Sequence, residues 1–171
     1  LFTRHNIGFM AVDFLAKQKD LNFKTDRLAS VASYKLKGHT IYLIKPTTFM
    51  NLSGKAVNYW LSYYKIEKEN MLVLVDDLAI PFDTLRLKPK GSSGGHNGLK
   101  SIEGVLGGTE YPRLRMGIGS DFAKGRQADY VLSNFSEAEL ETIPFILDKT
   151  AEIIETFCVE GLTKTMNKYN Q

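Results

Sequence analysis

Four short polar clusters in the sequence contain residue types that can do chemistry. They are Thr-Arg-His-Asn at 3–6, Thr-Phe-Met-Asn at 48–51, Asp-Asp at 76–77 and Gly-Gly-His-Asn-Gly at 94–98. Each cluster stands where a predicted strand ends or a predicted helix begins. In open α/β sheets such ends gather into one crevice, which is where ligands bind. The clusters are therefore predicted to contribute to a single site.

His5 and Asp76 have the chemistry of a general base and its orienting partner. An imidazole accepts a proton near neutral pH, and a neighbouring carboxylate fixes its tautomer and stabilises the imidazolium. Such a base contributes about a hundredfold to ten-thousandfold in rate. A lone histidine is more often a plain surface or core residue, and we assign that role to His39, which falls in a predicted hairpin turn. Asp77 could serve only as a cap for the turn after Asp76.

Asn51 and Asn97 could donate an amide N–H to the oxyanion that forms when water attacks a carbonyl. One such donor typically contributes about 3 to 4 kcal/mol to catalysis. Both residues also precede amphipathic runs, where an asparagine commonly caps the helix. The sequence alone leaves both interpretations open.

Several familiar catalytic patterns do not occur in the sequence. The glycine-rich turn at 91–98 has the spacing of neither a phosphate loop nor a dinucleotide fingerprint, although it could bind an anion or merely be flexible. There is no Gly-x-Ser-x-Gly motif, and Cys158 falls within an amphipathic helical pattern. The three histidines and one cysteine lack close ligand spacing, so we expect no metal and no cofactor.

Length and composition indicate one soluble domain over residues 1–171. The chain is 43% hydrophobic and 24% charged, as globular proteins are. Its longest apolar run, at 71–75, is too short to span a bilayer, so no membrane association is expected. A single cysteine and the lack of a recognisable leader favour the cytoplasm. The net charge of +3 permits a polyanionic partner without requiring one.

The hydrophobic periodicity predicts an α/β fold, with a twisted, mixed and largely parallel sheet covered by helices on both faces. Helices are predicted from Asn6, after Asn51, around Leu99, and from Ser136 to the chain end. Pro144 either kinks the last of these or lies in the first turn of a new helix capped by Thr142, and Gly161 separates a short final helix. Strands are predicted at 30–36, 40–45, 71–75, 84–88 and 113–119. The last strand alternates Arg113 and Arg115 with apolar residues, which predicts one wet and one buried face.

Together, several motifs strongly resemble the bacterial-type peptidyl-tRNA hydrolase family. They are Thr-Arg-His-Asn at 3–6, Pro-Thr-Thr-Phe-Met-Asn-Leu-Ser-Gly at 46–54, Asp-Asp-Leu at 76–78, Gly-Gly-His-Asn-Gly-Leu-Lys at 94–100 and Arg-Leu-Arg-Met-Gly-Ile-Gly at 113–119. The resemblance implies a monomeric α/β hydrolase without metal or cofactor. Its substrate would be the ester between a peptide's C-terminus and the tRNA ribose.

The resemblance also implies roles for individual residues. His5 would activate water, Asp76 would hold His5, and Asn51 and Asn97 would position the substrate and stabilise the intermediate. The cleft for the peptide and the tRNA 3′ end would be lined by Met50, Gly94, Gly95 and His96. The acceptor arm would be gripped by Lys88, Lys100, Arg113, Arg115, Lys124 and Arg126, although basic residues often form only a solvated face.

The chain departs from the family pattern at its start. Family members begin with an apolar strand, a Gly-Asn-Pro-Gly turn and a Tyr before the Thr-Arg-His-Asn motif, and none of these occurs here. We expect that the full protein has this strand. Two other functions remain open from sequence: an RNA-binding module on the same fold that does no chemistry, and a general esterase or amidase of small molecules.

Overall fold

A computed structural model of the chain describes residues 2–170 and shows an α/β fold. Its strands are β1 (Lys24–Asp26), β2 (Ala29–Leu36), β3 (His39–Pro46), β4 (Val73–Asp77), β5 (Leu85–Lys88) and β6 (Arg113–Gly117). Its helices are α1 (Ile7–Gln18), α2 (Ser53–Tyr64), α3 (Asn97–Leu106), α4 (Gln127–Val131), α5 (Glu137–Glu160) and α6 (Leu162–Tyr169). Single 3₁₀ turns at Arg4–Asn6, Met50–Leu52 and Lys68–Asn70 complete the set.

The strands form two three-stranded sheets rather than one. The first has the order β1-β2-β3 and is antiparallel, and the second has the order β4-β6-β5. In the second sheet β4 and β6 are parallel, whereas β5 is antiparallel to β6. The prediction of a single, largely parallel sheet is therefore wrong for residues 2–170. Parallel neighbours need long crossovers, but only two residues join β2 to β3, and residues 78–84 between β4 and β5 contain no helix.

Helices pack on both faces of the β4-β6-β5 sheet. Leu87, Leu114 and Met116 share one core with side chains of α1 and α5. On the opposite face Val75 packs with Leu99 and other apolar side chains of α3. Successive strand residues point to opposite faces, so β4 supplies both cores, with Leu74 on one side and Val75 on the other.

A cavity of about 270 Å³ is lined by residues of both sheets, with Ile41 and Leu43 from β3 and Val73 from β4. His5 and Asp76 also line it. Within residues 2–170, β3 pairs only with β2, and β4 only with β6. The two sheets are therefore held together by side-chain packing, mainly through α1 and α5, and not by strand hydrogen bonds.

The helix pattern differs from expectation in two places. α5 runs from Glu137 to Glu160 through Pro144 without a break, and a capping box between Ser136 and Glu139 begins it. A separate helix capped by Thr142 is therefore wrong. The short elements β1 and α4 were not predicted, because three to five residues are too few to display a hydrophobic period. In the part of the chain that the structure describes, no helix has the length and apolarity needed to cross a bilayer.

Gly54 allows α2 and α3 to approach at the backbone. A Cβ atom at this position would lie 2.2 Å from the carbonyl oxygen of Ser101. The Gly54 N–H also donates to Ser101 Oγ at 2.8 Å. The contact fixes the position of α3, whose first turn belongs to the candidate site described below.

We expect Gly54→Ala to destabilise the fold by about 1 to 3 kcal/mol, because the added methyl group forces the two helices apart. Gly104→Ala is the matched control, since Gly104 also lies in α3 and its Cβ would meet nothing within 4 Å. That change should stabilise the protein by up to about 1 kcal/mol through helix propensity. Urea unfolding of the two variants measures the change in the free energy of unfolding that each substitution causes. Equal effects would contradict the close-approach argument.

Candidate active site

His5 and Asp76 form a hydrogen-bonded pair at the start of α1 and the end of β4. His5 lies in the 3₁₀ turn Arg4–Asn6, and Asp76 is the fourth residue of β4. His5 Nδ1 lies 2.8 Å from Asp76 Oδ2, although 71 positions separate the residues. The Asp76 carboxylate is 5% exposed and the His5 ring 22% exposed. The pair therefore combines a buried carboxylate with a ring that solvent can reach.

His96 is a second partner of the same carboxylate. Its Nε2 lies 2.8 Å from Asp76 Oδ1, and its Nδ1 accepts hydrogen bonds from the backbone N–H groups of Gly98 at 3.1 Å and Leu99 at 3.4 Å. Because a backbone N–H can only donate, Nδ1 must be the acceptor and Nε2 must carry the proton that Asp76 accepts. His96 is thus the N-cap of α3 and a donor to Asp76.

The pair shifts the pKa of both its members. The hydrogen bond to Asp76 raises the pKa of His5 above its ordinary value of 6.5, and this effect outweighs the lowering caused by burial. Burial by itself would raise the pKa of Asp76, but the hydrogen bonds from His5 and His96 outweigh it and lower that pKa. Asp76 is therefore ionised at neutral pH, and His5 keeps its proton to a higher pH than a free imidazole does.

Asn51 and Asn97 stand on adjoining turns, and neither is a side-chain cap. A Cβ on Gly98 would lie 2.8 Å from Met50 Sδ, so the absence of a side chain there lets the 3₁₀ turn that carries Asn51 pack against the start of α3. Both asparagines are exposed, and within residues 2–170 their amides have no hydrogen-bond partner. α3 is capped by His96, and α2 has no side-chain cap. The capping interpretation is therefore wrong for both asparagines, and their amides remain available to a ligand.

Gly94 and Gly95 form the exposed turn that leads into His96. Their φ angles are +59° and +85°, in the left-handed region that favours glycine. A Cβ at either position would meet nothing within 4 Å, so the backbone conformation and not space explains the two glycines. The turn leaves backbone groups open to a ligand beside His96.

Arg113, one of the residues predicted to contact tRNA, is buried and does not lie on the surface of this structure. Its side chain is fully buried and stacks on the Tyr111 ring at 3.9 Å. The guanidinium donates to the carbonyl oxygens of Gly91, Thr109 and Tyr111. Because the side chain has no exposed surface and these three carbonyl groups belong to neighbouring loops, Arg113 anchors the loops around it.

The other basic candidates are accessible to different degrees. Arg115 is mostly buried and donates to Asp77 Oδ2 at 3.2 Å and to the Ser92 carbonyl at 2.7 Å. Arg126 is exposed and pairs with Asp129 at 2.7 Å. Three lysines are exposed and form no ion pair within residues 2–170: Lys88, Lys100 and Lys124. Asp77 also accepts from the Ala79 N–H, so it caps the turn after β4 as expected.

The same site offers a possible set of metal ligands, and Cys158 offers no nucleophile. The ligand atoms of His5, Asp76 and His96 all lie within 4.8 Å of one another. Both Asp76 oxygens already accept hydrogen bonds from ring nitrogens, so a metal ion would have to displace two N–H donors. Burial raises the pKa of the Cys158 thiol to about 11, which keeps it protonated.

Two features of the site were not predicted from the sequence. One is the bond between His96 and Asp76, and the other is the burial of Arg4, which the sequence analysis treated only as part of a motif. The sign of a cap at position 96 was only its place directly before the first turn of a predicted helix, since histidine is not among the usual capping residues. No local pattern signals the partners of Arg4, because they lie about 130 positions away.

The chain is similar to known proteins over almost its whole length. The sequence model of the peptidyl-tRNA hydrolase family matches residues 1–171. A peptidyl-tRNA hydrolase of Cytophaga hutchinsonii is 54% identical over 168 residues, which are 98% of this chain and 89% of that protein. One of Parabacteroides distasonis is also 54% identical, over 98% of this chain and 90% of its own length.

A similarity in three dimensions accompanies the similarity in sequence. The crystal structure of peptidyl-tRNA hydrolase from Acinetobacter baumannii superposes with a TM-score of 0.91 at 32% identity, covering 99% of this chain and 87% of that one. Sequence motifs, whole-chain match and fold agree. This chain therefore belongs to the peptidyl-tRNA hydrolase family.

Proposed function

We propose that this member of the family hydrolyses the ester between peptide and tRNA with His5 as the general base. The Nε2 atom of His5 takes a proton from water, and the resulting hydroxide attacks the ester carbonyl carbon. The tetrahedral oxyanion accepts hydrogen bonds from Asn51 and Asn97. When the intermediate collapses, the C–O bond to the ribose breaks, and the imidazolium returns its proton to the ribose oxygen.

The 2.8 Å contact between His5 Nδ1 and Asp76 is the observation that carries this proposal. It commits Nδ1 as a donor, so Nε2 is left with its lone pair free to act as a base. When the ring becomes positively charged, the ionised Asp76 is already in place to stabilise it, and no group has to move. The same arrangement has no evident use in a module that only binds RNA.

His96 acts on the other side of Asp76. Both of its ring nitrogens are occupied, one by the carboxylate and one by the first turn of α3. We therefore assign His96 to holding Asp76 rather than to contacting the peptide. The peptide and the tRNA 3′ end would lie along Met50, Gly94 and Gly95, next to this ring.

The tRNA acceptor arm would bind the exposed basic residues named above. The ammonium groups of Lys88, Lys100 and Lys124 have no ion-pair partner within residues 2–170 and are available to phosphates. Arg126 could exchange its partner Asp129 for a phosphate. Arg115 would contribute through the Gly-rich loop that it holds at Ser92. By the family resemblance, the protein would act as a monomer in the cytoplasm without a metal ion.

We expect His5→Ala to lower kcat for an N-acyl-aminoacyl-tRNA by about a hundredfold to ten-thousandfold, because the water loses its base. Binding of the tRNA should stay within about twofold, since His5 grips no phosphate. His39→Ala is the control, because His39 is exposed in the β2–β3 hairpin. Single-turnover hydrolysis and filter binding measure the two effects. A His5→Ala protein that keeps wild-type turnover would remove His5 from the mechanism.

The pH dependence follows from the raised pKa of His5. Only neutral His5 is a base, so kcat/KM should increase with pH and level off above an apparent pKa that exceeds 6.5. Asp76→Asn removes the charge that raises this pKa, so the acid limb should move to lower pH. The plateau should fall by up to about ten-thousandfold, because an amide also permits the wrong tautomer. An acid limb that does not move would contradict the assignment.

We expect tRNA binding to weaken with salt, with a slope of log affinity against log salt near −2 to −3 if about three cations meet phosphates. Replacing Lys88 and Lys100 together by Gln should reduce the magnitude of the slope by about 2. Lys35→Gln is the control, because Lys35 is an exposed lysine on the β2–β3 hairpin. Filter binding at several salt concentrations gives the slopes. An unchanged slope in the double variant would place the acceptor arm elsewhere.

A further inference from the structure

Arg4, directly before His5, is a buried cation with partners on a distant part of the chain. Its side chain is 10% exposed. Nη1 donates to Ser133 Oγ at 2.6 Å and to the Asn134 carbonyl oxygen, and Nη2 donates to Glu139 Oε1 at 2.7 Å. The planar guanidinium of arginine can donate to several acceptors at once in a fixed geometry, which a lysine ammonium group does less well. The residue is therefore held in one orientation by groups from the α4–α5 connection and the start of α5.

Aromatic rings and backbone bonds complete the same attachment. The guanidinium lies 4.3 Å from the ring centre of Tyr130 and 5.5 Å from that of Phe135. The backbone N–H of Arg4 donates to the Ser133 carbonyl oxygen at 3.1 Å, and Thr3 forms an isolated β-bridge with Asn134. Backbone and side chain of Arg4 are thus bound to the same connection.

Glu139 links Arg4 to a rigid element. Its Oε1 atom accepts from Arg4 and also from the Ser136 N–H at 2.8 Å, as part of the capping box that begins α5. The position of Arg4 is therefore set by the first turn of a helix of 24 residues. His5, the next residue in the same 3₁₀ turn, is attached to Asp76 on β4.

We propose that Arg4 is a positioning residue for the hydrolysis, because it fixes the backbone that carries His5 to the N-terminus of α5. The inference rests on the proposed role of His5. The ring of His5 is held by Asp76, and its backbone is held by the contacts of the preceding residue, Arg4. A shift of about 1 Å in a catalytic group can cost about a hundredfold in rate. Arg4 does not touch the substrate, and its effect is on the geometry of the base.

The first test compares Arg4→Ala and Arg4→Lys in the full chain. We expect Arg4→Ala to lower kcat about 10- to 100-fold with KM within about twofold, and Arg4→Lys to recover part of the loss. The acid limb of the pH profile should move toward 6.5 in Arg4→Ala, because a loosened His5 loses its bond to Asp76. Rates are measured at a temperature where circular dichroism shows each variant folded.

The matched control is Lys19→Ala. Lys19 is an exposed cation that, like Arg4, has a carboxylate and a ring as partners, since it pairs with Glu155 at 3.0 Å and lies 5.5 Å from the Tyr34 ring. It has no contact with the turn that carries His5. Its removal should lower the melting temperature without changing kcat or the acid limb. A fall in kcat equal to that of Arg4→Ala would show a general effect of stability and overturn the proposal.

Chemical rescue is a second readout of the role of the Arg4 guanidinium. Arg4→Ala leaves a space between Tyr130, Glu139 and the Asn134 carbonyl that a guanidinium ion fits. Guanidinium at low millimolar concentration should restore part of kcat, whereas the same concentration of sodium should not. If Arg4→Ala keeps wild-type kcat and an unmoved acid limb while His5→Ala is inactive, Arg4 has no positioning role and the role of His5 stands. If His5→Ala is active, the proposed mechanism itself is wrong.

Discussion

The buried carboxylate of Asp76 is the interaction on which the rest of the site depends. It accepts hydrogen bonds from two imidazoles, one at the start of α1 and one before α3. Desolvation favours the protonated form of this carboxyl group, and the hydrogen-bond donors on both oxygens outweigh that effect. The two donors in turn orient the elements around them. Fold and chemistry thus share one requirement, namely that three chain segments meet at the end of β4.

Much of the site could be predicted because its chemistry depends on residue type and on position relative to elements. A histidine before an amphipathic helix and an aspartate at the end of an apolar strand are both visible in one sequence. The family resemblance then assigned the pair, and the structure places its atoms at hydrogen-bonding distance. The link between His96 and Asp76 could not be predicted in the same way. A histidine has two nitrogens, and sequence does not say which groups occupy them.

The β6 arginines show where periodicity misleads. Alternation with Leu114 and Met116 correctly predicted that Arg113 and Arg115 share a face, but not that this face is covered. Tyr111 and the loops at Gly91 and Thr109 bury Arg113 completely. A charged residue on the polar side of a strand is usually exposed, and only tertiary structure can supply enough acceptors to bury it. The prediction of one largely parallel sheet failed for a similar reason. Strand direction depends on the connections between strands and not on the residue pattern within each strand.

The cap of α3 has a consequence for protein design. Serine, threonine, aspartate and asparagine are the usual capping residues, whereas a histidine that caps through its ring nitrogen is an unusual choice. A procedure that selects residues for stability alone would replace His96 by one of them and would leave one oxygen of Asp76 without its donor. Position 96 is thus a place where the residue that suits the helix and the residue that suits the carboxylate differ. An engineered thermostable form of the protein would have to keep the histidine at position 96.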